Sequence, residues 1–202
     1  RVTLANISAS HSAIIGASAI LAYQSATATS NNGLYGALIP NLSTSGMVVV
    51  NGTNTSSSQK AVLQISGTTI TAGQLLLNGA GSYDLTNANN DVGTLAVNGL
   101  TSLSYIDKNA LTIGSVNGSD GISVSGAVSV ATATGDLTIT KNIATTNTGS
   151  SAIILSAGTS TAAGTSTGGN VILSGGTPSI TTGANGRTVI YTGSVEIGRA
   201  HV

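Results

Sequence analysis

From about Gly73 onward, the chain repeats short runs in which aliphatic and polar residues alternate, and each run ends at Gly, Asn or Asp. Alternation with a period of two is typical of a β-strand that buries one face. Asn-Gly pairs supply positive φ at low steric cost, and therefore predict turns at the ends of runs. They stand at Asn78–Gly79, Asn98–Gly99 and Asn117–Gly118. The pattern predicts an all-β fold built from many short strands.

Runs that recur every ~8–12 residues fit a β-sandwich, a meander or a β-solenoid. The solenoid is favoured because the candidate core residues are small and uniform, Ser, Thr and Asn are abundant enough to stack as ladders, and Phe and Trp are absent. We expect three short strands per coil and coils of roughly 20–30 residues. The side chains expected to point inward are Leu95, Leu111, Ile113, Val124, Val130, Leu137, Ile139, Ile154, Leu155, Val171 and Leu173.

The chain divides into three parts by pattern. Residues 1–72 form a less regular β region, in which a polar excursion contains one predicted strand, "GMVVVNG". A helix over Ser12–Tyr23 is an alternative there, although Gly16 interrupts it and it has no charged face. Residues 73–195 form the repeating coils. Residues 196–202, "EIGRAHV", match a common sequencing adapter on back-translation, so we expect a non-native tail and assign it no chemistry.

Composition removes several functional classes. Six basic and six acidic residues leave no net charge to attract nucleic acid or anionic lipid, and no basic stripe, phosphate loop or stacking aromatic platform is present. The absence of Cys excludes disulfides, zinc–thiolate sites and thiol catalysis. The longest apolar run, Ala13–Tyr23, is too short to span a bilayer. We therefore expect no nucleic-acid partner and no membrane-spanning segment.

The units "YDLTNANNDVGTLAV", "NALTIGSVNGSDGI" and "GDLTITKNI", followed by "GGNVILSG" and "GRTVIYTGS", carry a family resemblance. Over about Gly73–Ser194 the chain resembles the repeat region of filamentous-haemagglutinin-like exoproteins. The resemblance implies a right-handed parallel β-helix from a large secreted or cell-surface protein of a Gram-negative bacterium. It also implies export by a two-partner or autotransport route through an outer-membrane partner. The implied role is adhesion, aggregation or contact-dependent toxicity, with a host-cell or bacterial surface receptor or glycan as the partner.

A β-helical enzyme that binds or cleaves polysaccharides is the alternative function. It would need two carboxylates on either side of one glycosidic bond, or clustered acids with basic residues. We instead expect the five Asp residues outside the tail to stand one per turn, in a chain whose turns are rich in Asn and Gly, where Asp caps its own backbone; they are Asp84, Asp91, Asp107, Asp120 and Asp136. We therefore predict a structural and adhesive segment that is not an enzyme.

Three other patterns are weak candidates for chemistry. The oxygen atoms of Asp84, Asn87, Asn90 and Asp91 suit Ca²⁺, but their order differs from known calcium loops. "GTSTG" around Ser166 matches a nucleophile elbow without the strand–turn–helix context, and its one His partner outside the tail, His11, is distant. Neither pattern leads us to assign a catalytic residue, a metal or a cofactor.

Thr-x-Thr pairs could order water in an ice-binding solenoid if they stacked evenly, but outward Thr is also simply a good strand residue. The pairs are unevenly spaced along the sequence, and they begin at Thr69, Thr132, Thr138, Thr159 and Thr165. Glycosylation sequons occur at Asn51, Asn54 and Asn117, as chance allows in a chain so rich in Asn and Ser. We treat both patterns as structural.

The end of the repeat pattern predicts self-association. Each coil of a solenoid bonds only to its neighbours, and natural arrays cover their ends with polar caps. The repeat pattern continues to "RTVIYTGS" with no visible cap and few charges. Because exposed strand edges pair with other chains, we expect end-to-end association or aggregation through the C-terminal end.

Overall fold

The computed structural model describes residues 20–24, 38–39, 41–54, 60–162, 165 and 168–193. Within these residues the chain contains strands and turns but no helix. The strands are β1 (Ile20–Gln24), β2 (Leu38–Ile39), β3 (Leu42–Ser43), β4 (Met47–Thr53), β5 (Lys60–Gln64), β6 (Ile70–Ala80), β7 (Ser82–Leu85), β8 (Asp91–Leu100), β9 (Ser102–Asp107), β10 (Leu111–Ile113), β11 (Ser115–Val116), β12 (Ser119–Asp120), β13 (Ile122–Val124), β14 (Val128–Thr132), β15 (Leu137–Ile139), β16 (Ile143–Thr145), β17 (Ile153–Ala157), β18 (Val171–Leu173), β19 (Ile180–Thr181) and β20 (Thr188–Thr192).

The strands form two parallel sheets and one small hairpin. The larger sheet follows the order β1-β4-β6-β8-β10-β15-β18, with β3, β13, β16 and β19 joined at its side. The smaller sheet follows the order β2-β5-β7-β9-β14-β17-β20. Only β11 and β12 pair antiparallel among the described strands. Because the chain alternates between the two sheets and pairs in parallel within each of them, the fold is all-β and consistent with a β-solenoid.

The later part of the chain repeats three strands at a time. After β10, β13 and β14, the chain returns to place β15 beside β10, β16 beside β13 and β17 beside β14. The strands β18, β19 and β20 then pair with that second set. We call each such set a coil. Three short strands per coil is the arrangement that the sequence pattern predicted.

In the earlier coils, long bent strands replace two of the short ones. Gly79 and Gly99 have φ values of 121° and 79°, but both lie inside strands, β6 and β8. The Asn-Gly pairs at these two positions therefore bend a continuing strand, and the prediction that they end one is wrong. The third pair is different, because Asn117 and Gly118 form the turn between β11 and β12.

Apolar side chains stack in columns between the sheets. In the larger sheet, paired positions give the column Val48, Leu75, Leu95, Ile113, Ile139 and Leu173. In the smaller sheet they give Leu85, Tyr105, Val130, Leu155 and Ile190. All members except the last of each column are buried. Each fully buried aliphatic side chain contributes about 1.5–3 kcal/mol, so these columns hold the sheets together.

Eight of the eleven side chains predicted to point inward are buried, and three are not. Ile154 faces outward because its neighbours Ile153 and Leu155 occupy the inward positions of β17. Val171 is partly buried against the core. Leu173 occupies an inward position but is 50% exposed, because β18 is the last described strand of the larger sheet.

A second, smaller apolar cluster lies on the outer face of the larger sheet. Val49, Leu76 and Ala96 occupy paired outward positions of β4, β6 and β8. Val116 packs on this cluster from the hairpin β11–β12, and all four side chains are buried. The hairpin is therefore a lateral excursion that covers part of one face of the sheet.

Parts of residues 1–72 already take part in the parallel ladders. The predicted strand "GMVVVNG" is β4, which pairs with β6 over seven residues. The alternative helix is wrong over Ile20–Tyr23, which belong to β1 and pair with β4. Residues 12–19 of that alternative, and the tail at 196–202, lie outside the described residues. In the part of the chain that the structure describes, no helix is long and apolar enough to cross a membrane.

Candidate functional site

The five Asp residues lie in different places along the coils. Asp84 lies in β7, Asp91 begins β8, Asp107 ends β9, Asp120 ends β12, and Asp136 precedes β15. The prediction that all five sit in turns is wrong for the four that lie within strands, which are Asp84, Asp91, Asp107 and Asp120. The Asp84 carboxylate accepts a bond of 2.9 Å from the Thr86 hydroxyl. A backbone cap of the predicted kind exists at Asp107, where Oδ1 accepts from the amide of Asn109.

Asp107 is the one Asp that is fully buried, with 0% exposure. Its Oδ2 accepts a hydrogen bond of 2.8 Å from the Tyr105 hydroxyl and one of 3.0 Å from the amide of Val92. Its Oδ1 accepts the bond from the Asn109 amide at 3.2 Å. Three donors, two from the strands β8 and β9 and one from the turn after β9, therefore satisfy this carboxylate inside the protein.

Burial raises the pKa of Asp107 to about 6 from an ordinary value of 3.8, although its three hydrogen bonds oppose that shift. The Asp91 carboxylate nearby adds a smaller raising effect. Burial also raises the pKa of Tyr105, and the Asp107 carboxylate raises it further. Because the folded state holds the Asp107 proton more tightly than the unfolded state does, the contribution of this group to stability falls as the pH rises between 3.8 and about 6.

We expect the substitution Asp107→Asn to remove this pH dependence. Relative to the variant, the wild-type protein should lose about 2 kcal/mol of unfolding free energy between pH 4 and pH 7. Urea unfolding at both pH values measures the difference. The Asn side chain keeps an acceptor for Tyr105 and Val92, so the variant should fold.

A second variant tests whether the pH dependence arises from the titration of Asp107. Tyr105→Phe removes the hydroxyl that opposes the shift and should make the pH dependence steeper. The difference in unfolding free energy between the wild-type protein and Asp107→Asn could instead stay constant from pH 4 to pH 7. That result would show that Asp107 is charged in the folded protein at both pH values.

Asp91 and Asp107 are the two carboxylates that the fold brings to one corner. Asn109 joins them, because its side-chain amide donates to Asp91 at 3.1 Å and its backbone amide donates to Asp107. The Lys108 ammonium lies 4.0 Å from Asp91. Since Asp107 is inaccessible to solvent, this pair has no open face toward a glycosidic bond.

The candidate calcium ligands do not converge. Asn90 is fully buried and its side chain bonds to Gln64, Ile70, Leu85 and Ile106. The Asn87 side chain bonds to the carbonyl oxygen of Thr68 and the amide of Asn89. Among the described residues, no group of three or more His, Cys, Asp or Glu side chains could hold a metal ion.

Several hydroxyls of the Thr-x-Thr pairs donate hydrogen bonds to backbone carbonyl oxygens. Thr132 is buried and donates to the carbonyl oxygen of Gly135, while Thr134 and Thr140 donate to carbonyl oxygens of Lys108 and Ile113. The outward column that does stack Thr residues joins Thr94, Thr112 and Thr138, two of which lie outside the pairs. Ser166 of the elbow pattern lies outside the described residues.

The three sequons differ in exposure. Asn51 is half-buried in β4, where its side-chain oxygen is buried without a hydrogen-bond partner, and Asn54 is 5% exposed. Asn117 is exposed at the turn of the hairpin. Of the three, Asn117 is the one whose side chain reaches solvent freely.

A shallow polar groove of about 320 Å³ lies beside the hairpin, and we call it the hairpin groove. Three successive coils contribute to it, and its lining residues are Asp120, Thr140, Lys141, Asn142, Gly175, Thr177 and Pro178. Lys141 donates to Asp120 at 3.2 Å, and the Ser115 hydroxyl also donates to Asp120. The Ser115 and Lys141 bonds hold the pKa of Asp120 below its ordinary value. The groove thus presents a charged pair with hydroxyl and amide groups around it.

A second groove, of about 530 Å³, lies beside Asp84. Its lining residues are Leu63, Gln64, Ile65, Ser66, Gly67, Asp84, Thr86, Asn87 and Ala88. Lys60 lies 4.0 Å from the Asp84 carboxylate. Several of its polar groups already bond to one another, so it offers fewer groups to a ligand than the hairpin groove.

Sequence reasoning missed the buried polar groups and the hairpin. The period-two phase set by Leu103 and Tyr105 places Asp107 at an inward position, and this signal could have identified it. The hairpin has the sequence signature of two short runs separated by Asn-Gly. No pattern in "NND" marks Asn90 as a buried residue rather than a turn residue.

Comparison of the chain with protein-family models, with curated proteins and with solved structures finds no match in any of the three.

Proposed function

We propose that this chain is a segment of a right-handed parallel β-helix in a large secreted or cell-surface bacterial exoprotein, and that it presents surfaces for adhesion or aggregation. The observation that carries the proposal is where the apolar side chains and the grooves lie. Its apolar side chains form continuous columns between parallel sheets, and the two grooves described above are shallow and lie on the surface. This arrangement suits a scaffold that displays a long lateral surface.

Right-handed winding is supported by a general rule of chain topology. Connections between parallel strands of one sheet are right-handed in about 98% of cases, because a right-twisted strand leads back onto its sheet in that sense. The chain makes such connections repeatedly, for example from β6 through β7 to β8. The resemblance to filamentous-haemagglutinin-like repeats points to the same hand and to the same extracellular location.

The distribution of carboxylates supports adhesion over polysaccharide cleavage. Asp84, Asp120 and Asp136 each bond to a different local partner, and the pair of Asp91 and Asp107 has one fully buried member. A glycosidase needs two accessible carboxyl groups on either side of one bond. A binding surface needs only hydrogen-bonding groups in a concave site, and the hairpin groove supplies them.

We propose a polar glycan as the ligand of the hairpin groove. The groove is close to the lower end of the usual size range for small-ligand sites, which suits one or two sugar rings. Lys141, Asn142 and Thr177 carry donors, and Asp120 carries acceptors, a mixture that matches sugar hydroxyls. The chain has no net charge, so binding should depend little on salt.

A glycan array with the full chain tests this proposal. We expect binding to at least one glycan class without release of reducing ends from any polysaccharide. The double substitution Asp120→Ala with Lys141→Ala should weaken binding at least about tenfold, which corresponds to about 1.4 kcal/mol. The matched control is Asp91→Ala with Lys108→Ala, which removes another ion pair and also leaves the net charge unchanged.

Two results would contradict the proposal. Turnover of a polysaccharide that disappears when neighbouring Asp residues are substituted would establish the enzyme alternative. An absence of binding to every glycan and to cells, or an equal loss in the control variant, would remove the hairpin groove as the binding site.

A further inference from the structure

The hairpin groove lies where three successive coils differ in the length of one connection. The chain passes from the first strand of a coil to the second through residues 114–121 between β10 and β13, 140–142 between β15 and β16, and 174–179 between β18 and β19. Every residue of the short middle connection lines the groove, and the longer connections on either side supply the other lining residues. The groove is therefore a gap over a short turn, bordered by two longer connections.

The longest of these connections contains the hairpin β11–β12, which the winding of the chain does not require. In the preceding coil, the single strand β8 pairs with both β10 and β13 and so covers both strand positions without an excursion. In the following coil, three residues make the same connection. The hairpin is thus an insertion at one border of the groove.

Val116 fixes the direction in which the hairpin presents its polar side chains. It is buried in the apolar cluster on the outer face of the larger sheet. Successive side chains of a strand point to opposite faces, so the neighbouring Ser115 points away from the sheet, where it is exposed. Ser115 pairs directly with Asp120 across the hairpin, which sets their side chains on the same outer face.

The two oxygen atoms of the Asp120 carboxylate have different partners. Oδ1 accepts from the Ser115 hydroxyl, and Oδ2 accepts from the Lys141 ammonium at 3.2 Å. A carboxylate has about four acceptor sites and an ammonium group has three donors, so both groups keep capacity for a ligand. Two adjacent hydroxyls of a sugar ring match this pair, because one can donate to Asp120 while the other accepts from Lys141.

This arrangement gives the hairpin a specific role in the glycan-binding function proposed above, on which the inference rests. We propose that the hairpin determines which sugars the groove accepts, and that Ser115 positions the Asp120 carboxylate beside Lys141 to recognise two adjacent hydroxyls of one sugar ring. The Lys141 and Asp120 side chains are 43% and 59% exposed, and exposed ion pairs are weak on their own. The hydrogen bond from Ser115 is therefore needed to hold the carboxylate in one orientation.

The positioning role can be measured on the full chain without any ligand. Ser115→Ala should raise the pKa of Asp120 toward its ordinary value of 3.8, because it removes the hydroxyl that donates to the carboxylate. Carbon-13 NMR of the carboxyl groups over a pH titration measures this pKa. Ser115→Thr keeps a hydroxyl and should retain the low pKa. The matched control is Ser119→Ala, which removes a hydroxyl from the same hairpin at the position that pairs with Val116.

Calorimetric titration with three β-1,4-linked oligosaccharides tests the recognition of adjacent hydroxyls. The probes are cellohexaose and mannohexaose, whose rings carry free hydroxyls at C2 and C3, and chitohexaose, whose rings carry an N-acetyl group at C2. We expect the wild-type chain to bind at least one of the first two more tightly than chitohexaose. Ser115→Ala should weaken that binding at least about fivefold, whereas Ser115→Thr and Ser119→Ala should leave it unchanged.

The outcomes separate this inference from the glycan proposal beneath it. An Asp120 pKa that is the same in Ser115→Ala and Ser119→Ala would overturn the positioning role, and so would a raised pKa with unchanged binding. Binding of chitohexaose at least as tight as that of the other two probes would overturn the recognition of adjacent hydroxyls. If no glycan binds the wild-type chain, the proposed function fails together with that recognition, and the pKa comparison still decides whether Ser115 positions Asp120.

Discussion

Replacing Asn90 by Ala is expected to lower the free energy of unfolding by about 4 kcal/mol, because five hydrogen bonds of one buried side chain would be lost at once. The Asn90 side-chain oxygen accepts from the Gln64 amide at 2.6 Å and from the Ile70 backbone amide at 2.9 Å. Its amide group donates to Gln64 at 3.1 Å and to the carbonyl oxygens of Leu85 and Ile106 at 3.2 and 3.1 Å. One side chain therefore joins three successive coils at a corner.

Two further variants make this prediction specific. Asn90→Asp preserves the volume but replaces both donor hydrogens by an acceptor, so it should destabilise the protein by a similar amount. Asn89→Ala is the matched control, because Asn89 is the neighbouring residue of the same type and is exposed. Urea unfolding measures all three. Equal stability of Asn90→Ala and Asn89→Ala would show that the corner network contributes nothing.

Replacing Gly79 by Ala is expected to cost about 4 kcal/mol, for two physical reasons that add. Gly79 has a φ of 121°, a conformation that residues with a side chain rarely adopt. An added Cβ would also overlap the backbone carbonyl of Gly52, the residue that pairs with Gly79 in the neighbouring strand. Gly52 cannot easily move, because its amide and carbonyl groups bond to the buried Tyr83 hydroxyl.

Gly67→Ala separates the two causes. Gly67 has a φ of 79°, but an added Cβ there would have no neighbour within 4 Å. That variant should lose only the conformational part, about 1 kcal/mol. Thermal or urea unfolding of both variants measures the difference. If Gly79→Ala and Gly67→Ala were equally destabilised, the close approach of Gly52 and Gly79 would have no energetic importance.

The sequence predicts the strand character and much of the core because alternation is a local property. In "LTI" of β10 and β15, one polar residue stands between two aliphatic residues, so the pattern predicts that both aliphatic side chains point inward. In "IILSA" of β17, three consecutive aliphatic residues fit either phase of the alternation, so the prediction that Ile154 points inward is wrong. Only the register against β14, which pairs Val130 with Leu155, decides between the phases.

The candidate site was harder to predict, because it depends on contacts between coils. Asp120, Lys141 and Thr177 belong to three different coils, and nothing in their sequence separation brings them to one groove. Asn90 and Asp107 look like turn residues in sequence, yet both are fully buried. The partners of Asn90 come from three successive coils. The exposure of Leu173 also depends on its place in the stack, since its own pattern matches that of buried Ile139.

The central claim is that the strands stack in parallel and in register, since the composition of both grooves depends on it. Distances along one outward column of paired residues can test this claim. The column consists of Gln74, Thr94, Thr112, Thr138 and Ile172. The chain has no Cys, so pairs of engineered Cys residues can carry spin labels at chosen positions. Dilution into unlabelled protein restricts the measured distances to those within one molecule.

Pulsed electron paramagnetic resonance on two labelled pairs makes the most direct test. Gln74 and Thr138 are separated by three strand steps, and Gln74 and Ile172 by four. At about 4.8 Å per step, the backbone separations should be about 14 Å and about 19 Å, and the two label distributions should differ by one step. Distances that do not increase in this way from Thr138 to Ile172 would contradict the stacked parallel arrangement and the account built on it.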